Sequence, residues 1–291
     1  MQVIFHTGVH DTDNDRLLKC LLRNSQKLTE NGVAVPGPGR YRDLLADSFN
    51  AMVENAPARD ARDILVDAII DDPSAERLVL SNAFFFGSKR NAIRNGQLYP
   101  DAADRLGHLC QLFSGDQVVL FMGLRNPASL LPAVIEQTGP DATDDVLGTQ
   151  SPQDLRWSDC IARIRHAVPD MQLTLWCNED TPLIWSELVR EIAGLAANEP
   201  ILGGYDLLSE IMSKEGMERF ESYLESHPEM TEMQTRRVIT AFLDKFALDE
   251  MVEEEVDLEG WTEALIDQLT EQYEEDLFEI GRMPGVTLLS P

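Results

Sequence analysis

Gln2-Val3-Ile4-Phe5-His6-Thr7-Gly8-Val9-His10-Asp11-Thr12-Asp13-Asn14-Asp15, running on into Arg16-Leu17-Leu18-Lys19-Cys20-Leu21-Leu22, is the stretch that decides the fold. A short apolar run stops at a glycine, crosses a polar turn and opens into an amphipathic segment. That pattern predicts a strand, a tight loop and a helix. Such an arrangement presents the backbone N–H groups of a helix N-terminus to a phosphate. The loop chemistry departs from that purpose. A P-loop reads Gly-x-x-x-x-Gly-Lys-Ser/Thr, and counting from Gly8 the last three positions hold Asp13, Asn14 and Asp15. Three carboxylates (Asp11, Asp13, Asp15) therefore face the place of an anion, and the loop carries no cation to balance it.

Working outward, strands and helices alternate. Asp15–Glu30 carries a leucine stripe at helical spacing and ends at Asn31-Gly32, a C-cap pattern. Short strands are predicted at Gly32–Pro36 and Arg77–Ser81, with helices over Tyr41–Glu54 and Ala58–Ile70 between them. Asn82–Gly87 holds three adjacent phenylalanines, expected to pack under a loop, and Ser88–Gln97 is a basic patch with Lys89, Arg90 and Arg94. A helix over Pro100–Phe113 leads to Gln117–Leu124, whose unbroken apolar character predicts a strand covered on both faces. Pro127 opens a new helix, Gly139–Gln153 reads as a polar loop, and Trp157–Ala167 as a helix. Met171–Cys177 is the next strand and Pro182–Leu195 the next helix. Beyond Ala196 the chain turns acidic and helical, with helices over Tyr205–Leu224, Thr231–Phe246 and Glu259–Arg282, and a closing strand or tail at Pro284–Leu289. The expectation is an α/β fold, a P-loop-type parallel sheet flanked by helices, with a helical C-terminal extension. Residues 1–200 form the core and 201–291 the acidic helical extension packed on it.

Twenty-four basic against 51 acidic residues give a net charge of −27, which argues against nucleic acid or an anionic membrane as partner. The longest strong apolar run, Val118–Leu124, is strand-sized, far short of the roughly 18 residues a membrane span needs. No basic region followed by an apolar stretch and cleavage site opens the chain. The four cysteines (Cys20, Cys110, Cys160, Cys177) are far apart without metal-type spacing and read as free thiols of a cytoplasmic protein.

Ligands of open parallel sheets bind at the carboxyl ends of the strands. The candidate segments are the Gly8–Asp15 loop, Ser81–Ala83, Arg125–Ser129 and Asn178–Asp180. The three aspartates are hard oxygen ligands, but their order lacks the glycine and distal glutamate of a calcium loop. The simpler reading is that Asp13 or Asn14 caps the helix and Asp15 complements its dipole, so no metal is expected. His6 ends a strand and reads as a core histidine, whereas His10, in the loop, is the catalytic candidate by position. Arg125 either serves a ligand or anchors a carboxylate. Lys89, Arg90 and Arg94 read as a solvated helix face or as part of an anion-binding surface.

The order of these strand exits resembles the sulfotransferase family, its bacterial branch in particular. There the first loop reads His-x-Gly-x-His-Lys-Thr-Gly-Thr-Thr. His6, Gly8, His10 and Thr12 match this frame, while Asp11, Asp13, Asn14 and Asp15 replace the family's Lys, Gly and both Thr. Leu124-Arg125-Asn126-Pro127 resembles the family's 3′-phosphate-binding turn, with Arg125 on the phosphate-contacting arginine. The serine eight residues later is Ala133 here, and Ser129 lies on a different turn. Leu80-Ser81 resembles a strand ending in Ser-x-Glu, with Ala83 at the acid position. The Glu179-Asp180 exit and the segment from Tyr273-Glu274-Glu275-Asp276-Leu277 to Met283-Pro284-Gly285-Val286 resemble later family segments.

The resemblance implies 3′-phosphoadenosine-5′-phosphosulfate (PAPS) or its product PAP as cofactor, held by Gly8, Thr12, Arg125 and Ser129, with His10 as the catalytic candidate. Each carboxylate within 4 Å would oppose such an anion by about 1–4 kcal/mol. The absent lysine removes a further ~1.5–3 kcal/mol, and micromolar affinity amounts to only about 8 kcal/mol. The expectation is therefore a degenerate homologue that does not hold phosphosulfate in the usual way and binds an unknown small molecule or protein. The alternative is an active sulfotransferase with an atypical donor loop, in which Arg125, Lys89 and Arg90 supply the positive charge. A P-loop nucleotide kinase fits less well, since neither its lysine nor its Ser/Thr is present.

Overall fold

The unbroken apolar runs Val3–Phe5, Leu78–Leu80 and Val118–Leu124 are buried throughout, and such runs need cover on both faces. A computed structural model, describing all residues except 54, 139–142, 198, 253–257 and 259, supplies that cover. The sheet strands are β1 (Gln2–His6), β2 (Val33–Ala34), β3 (Arg77–Ser81), β4 (Gln117–Leu124), β5 (Gln172–Cys177) and β6 (Val286–Leu289). They pair in the order β2-β3-β1-β4-β5-β6, every pair parallel. The protein is thus an α/β parallel sheet flanked by helices, with a helical C-terminal region.

Period-two alternation assigns the two faces. Ile4, Val79, Val119, Phe121 and Trp176 point to one side, where helices α1 (Arg16–Arg23), α2 (Ser25–Glu30) and α8 (Thr181–Ala193) cover them. Val3, Phe5, Leu78, Leu80, Leu120 and Met122 point to the other. Their cover is α3 (Arg42–Met52), α4 (Ala61–Ile69), α5 (Ala102–Leu112), α6 (Pro127–Thr138) and α7 (Trp157–Ala167). The C-terminal region contains α9 (Asp206–Ile211), α10 (Lys214–Ser226), α11 (Glu232–Phe246) and α12 (Glu263–Ile280), with a single helical turn at Asp249–Val252. Leu208, Phe220 and Ile239 of this region form a small core of their own against Leu183. Among the described residues no helix is long and apolar enough to cross a membrane.

Several expectations need correction. The helix predicted over Asp15–Glu30 breaks at Asn24, whose side chain pairs with the backbone of Leu202 on both its N–H (2.9 Å) and carbonyl (2.9 Å). The helix predicted over Tyr205–Leu224 breaks at Met212-Ser213, because Met212 bridges Ala247 and the Ser213 hydroxyl caps α10 at Gly216. The basic stretch Ser88–Gln97 is not a helix face. It is a single 3₁₀ turn, Lys89–Asn91, followed by a hairpin pairing Ile93–Arg94 with Gln97–Leu98. The loop predicted at 139–153 contains a short helix, Thr143–Leu147. Helix ends predicted at Glu54 and Glu259, and the start of that loop, lie outside the described residues.

The C-terminal segment is joined to the sheet. β6 extends it at the β5 edge, and the preceding helix α12 reaches the far face. Asp276 of α12 is buried and accepts from the N–H groups of Trp157 (2.6 Å) and Ser158 (3.1 Å), the first two amides of α7. It thus caps a helix more than a hundred residues upstream, which neutralises donors that have no partner within their own helix. Replacing Asp276 by Ala strands both amides, and a loss of about 2–3 kcal/mol in urea-unfolding free energy is expected. Asp276→Asn, which keeps one acceptor, should lose measurably less. Equal losses in the two variants would show that the cap is not what stabilises this junction.

Candidate functional site

The strand order changes direction at β1. The chain visits β2 and β3 on one side before crossing to β4, β5 and β6 on the other, which makes the carboxyl end of β1 a switch point where the loops part. Register sets the exits level, since His6 pairs with Ser81 on β3 and with Phe121 on β4. The ladder continues past the strands: Thr7 N–H donates to the Phe121 carbonyl, Asn82 N–H to that of His6, and Gly123 N–H to that of Gly8. The loop beyond Gly8 is therefore clamped to both neighbouring exits.

Gly8 has φ +77, and a Cβ there would lie 3.1 Å from Ala83 Cβ, so both the turn and the close approach favour glycine. Asp11, Asn14 and Asp15 are also left-handed, at φ 55, 48 and 62. Asp and Asn tolerate that region better than most side chains. Thr12 turns its hydroxyl inward to the Val9 carbonyl (2.7 Å).

Each loop carboxylate has an internal partner. Asp13 Oδ2 accepts from Leu17 N–H (3.0 Å), so the capping role expected for it is present and one amide of the α1 first turn is consumed. Asp15 offers no side-chain cap. It is gripped in a two-pronged ion pair by Arg42 (2.6 and 3.2 Å), which also donates to the Ser81 carbonyl. Asp11 lies between Lys89, with which it forms an ion pair, and Arg125, whose Nη1 is 3.6 Å away. The cations that the loop itself lacks come from other crossovers: Lys89 from beyond β3, Arg125 from beyond β4, Arg42 from the start of α3.

Arg125 is held independently of Asp11. Its Nε donates to Ser129 Oγ (3.0 Å), and its carbonyl accepts from Trp157 Nε1 (2.8 Å). Neighbouring Asn126 donates its N–H to Glu179 (2.8 Å) and its side-chain amide to Thr270, while its own oxygen takes the Ala128 N–H. Gly8, Thr12, Arg125 and Ser129 thus share one region, but Thr12 and Ser129 spend their hydroxyls on internal contacts.

His10 is 3 % exposed, stacked on Tyr99 and edge-on to Phe84. Its Nδ1 is 2.8 Å from the Tyr99 hydroxyl, which also accepts from the His10 N–H. Burial holds the imidazole below its ordinary value, against the opposing pull of Asp11. His6 is the core histidine the sequence suggested, 1 % exposed, stacked on Trp176 with Nδ1 at Ser81 Oγ (2.8 Å). Its value too is lowered by burial, partly offset by Asp13 and Asp15. At the β5 exit, Cys177 donates to Glu179 (3.0 Å), and burial with the nearby carboxylate pushes the thiol up to about 12. A thiol with so high a value is held in its protonated form. Of the three phenylalanines, Phe85 and Phe86 are buried as expected, whereas Phe84 is exposed beside His10. Among the described residues, no group of three or more His, Cys, Asp or Glu is placed to hold a metal.

A phosphosulfate needs free donors and spare positive charge, and here Asp13 occupies the Leu17 amide while Asp11 and Asp15 lie against the cations. Sequence reasoning missed Arg42 and Tyr99, and left Lys89 between a solvated helix face and an anion-binding surface beside the loop. Arg42 lies on a different crossover from Asp15, so no spacing rule links them. Comparison with family models, with curated proteins and with solved structures finds no match for this chain.

The two buried imidazoles carry a pH signature. The unfolded chain takes up protons near pH 6.5, before the folded chain does. Their contribution to stability is therefore complete above about pH 6.5 and drains as pH falls toward their depressed folded-state values. The urea midpoint should be lower at about pH 5.5 than at about 7.5, and His10→Gln should flatten that dependence. An unchanged slope in His10→Gln would remove His10 from this account.

Proposed function

We propose that this protein is a degenerate, sulfotransferase-like α/β protein, without usual phosphosulfate binding, that acts as a ligand- or protein-binding module of the cytoplasm. The observation that carries the reading is the self-occupied loop: Asp13 on the Leu17 amide, Asp15 on Arg42, and Asp11 between Lys89 and Arg125. Each contact must be broken before an anion could use the same donors. Supporting it further, the loop histidine is enclosed by aromatic rings, and the thiol at the β5 exit is held protonated. The net charge of −27 disfavours nucleic acid and anionic membranes as partners, leaving a small molecule or another protein.

The second reading, a working sulfotransferase with an atypical donor loop, draws on one observation: Lys89 and Arg125 do stand beside the loop. Calorimetric titration with PAP, with and without magnesium, separates the two. No saturable heat is expected up to about millimolar ligand. A dissociation constant near micromolar, about 8 kcal/mol of binding free energy, that vanishes in Arg125→Ala would overturn the degenerate reading.

A further inference from the structure

Helix α8 starts at Thr181, just past the β5 exit, and its residues Glu187 and Arg190 lie roughly 9–14 Å along it from that end. Two ion pairs join them to α11: Arg190 to Glu232, and Arg236 to Glu187. Sequence rises along α8 where it falls along α11, so the pairs form two rungs between antiparallel helices. Both rungs line a cavity of about 370 Å³, together with Tyr205 and the apolar side chains of Leu183 and Ile239. All four charges are paired across the rungs, so charge alone calls for no ligand. The donor inventory does. A guanidinium carries five N–H donors, and Glu232 meets Arg190 at Nη2. The Arg190 Nε is buried and has no acceptor among the described residues. Arg236 differs, since a second of its nitrogens donates to the Ser290 carbonyl (3.1 Å). Buried donors are nearly always satisfied, and an exception asks for a reason. Tyr205 adds a second donor: burial pushes its hydroxyl up, against the opposing Arg190 charge, and keeps it protonated. A bridging water occupies about 30 Å³, and the cavity has roughly tenfold that room.

We propose that the cavity between α8 and α11 binds a small organic carboxylate with an apolar body, Arg190 and Tyr205 donating to the carboxylate while Leu183 and Ile239 pack against the body. The site lies apart from the strand-exit loop, and the inference does not depend on how that loop is read. An ammonium group fits less well, because Glu187 and Glu232 each already face an arginine, whereas Arg190 has donors that Glu232 leaves over. A dianion would meet both glutamates at short range, which favours a ligand of single charge. If the rungs only zipped α11 to α8 around trapped water, the cavity would show no preference for a carboxylate.

The test is an amide NMR titration of the full chain with acetate, butyrate and benzoate, and with benzyl alcohol and benzylammonium as neutral and cationic counterparts of benzoate. Benzoate should saturate with a dissociation constant of about 1 mM or below. Butyrate and then acetate should bind more weakly as the apolar body shrinks. Benzyl alcohol should bind at least about tenfold more weakly than benzoate, and benzylammonium more weakly still. Shifts should centre on residues 183–190, 205 and 230–239. Arg190→Gln should weaken benzoate at least about tenfold and Tyr205→Phe about threefold, as the loss of a charged and a neutral donor predicts. No saturation by any of the three carboxylates up to about 20 mM overturns the proposal. So do equal affinity for the alcohol, a preference for the ammonium, shifts centred elsewhere, or a folded Arg190→Gln that binds as wild type does. If Arg190→Gln does not fold, Tyr205→Phe decides: weakened benzoate binding supports the site and unchanged binding overturns it. The outcome with PAP bears on the strand-exit loop alone, so either reading can fail without the other.

Discussion

One charge cluster, Asp11 between Lys89 and Arg125, ties the three central strand exits to one another. It exists because the parallel ladder ends level, with His6 in register with both Ser81 and Phe121. The Gly8 carbonyl then meets the Gly123 amide, so the loop after β1 has little freedom in where it presents its aspartates. The neighbouring loops supply cations to two of these aspartates, Asp11 and Asp15, while Asp13 takes a backbone amide. Arg42 does for Asp15 what Lys89 and Arg125 do for Asp11.

A second set of constraints comes from the far end of the chain. Asp276 caps α7, Tyr273 donates to the Leu124 carbonyl, and Trp261 donates to the Ala128 carbonyl. All three fix the turn that carries Arg125 or the helices on either side of it. The C-terminal helix is therefore part of what positions the site, although none of its side chains belongs to the charge cluster. The aromatic stack of His10, Tyr99 and Trp157 links the same two regions through the core.

The chemistry of the region follows from this enclosure. In a protein with a net charge of −27, Lys89, Arg125 and Arg42 are gathered at the strand exits beside the loop aspartates. Burial favours the neutral form of five groups in this region. It lowers both imidazoles, raises the Cys177 thiol, and raises the Tyr99 and Tyr273 hydroxyls. Each is thereby kept in its neutral form.

Local physics made much of the fold legible in the sequence. Apolar runs of strand length, a glycine that breaks the first of them, and leucines at helical spacing specified the parallel α/β sheet and most element positions, because these signals act over a few residues. The capping aspartate was readable for the same reason: Asp13 and the Leu17 amide are four residues apart. What only the tertiary structure decided was pairing between distant segments. Asn24 breaks its helix because Leu202 comes to meet it, and Lys89 and Arg42 neutralise a loop that in sequence holds only negative charge. Electrostatic and hydrogen-bond partners are chosen by distance in space, and the fold brings together residues that no sequence interval relates.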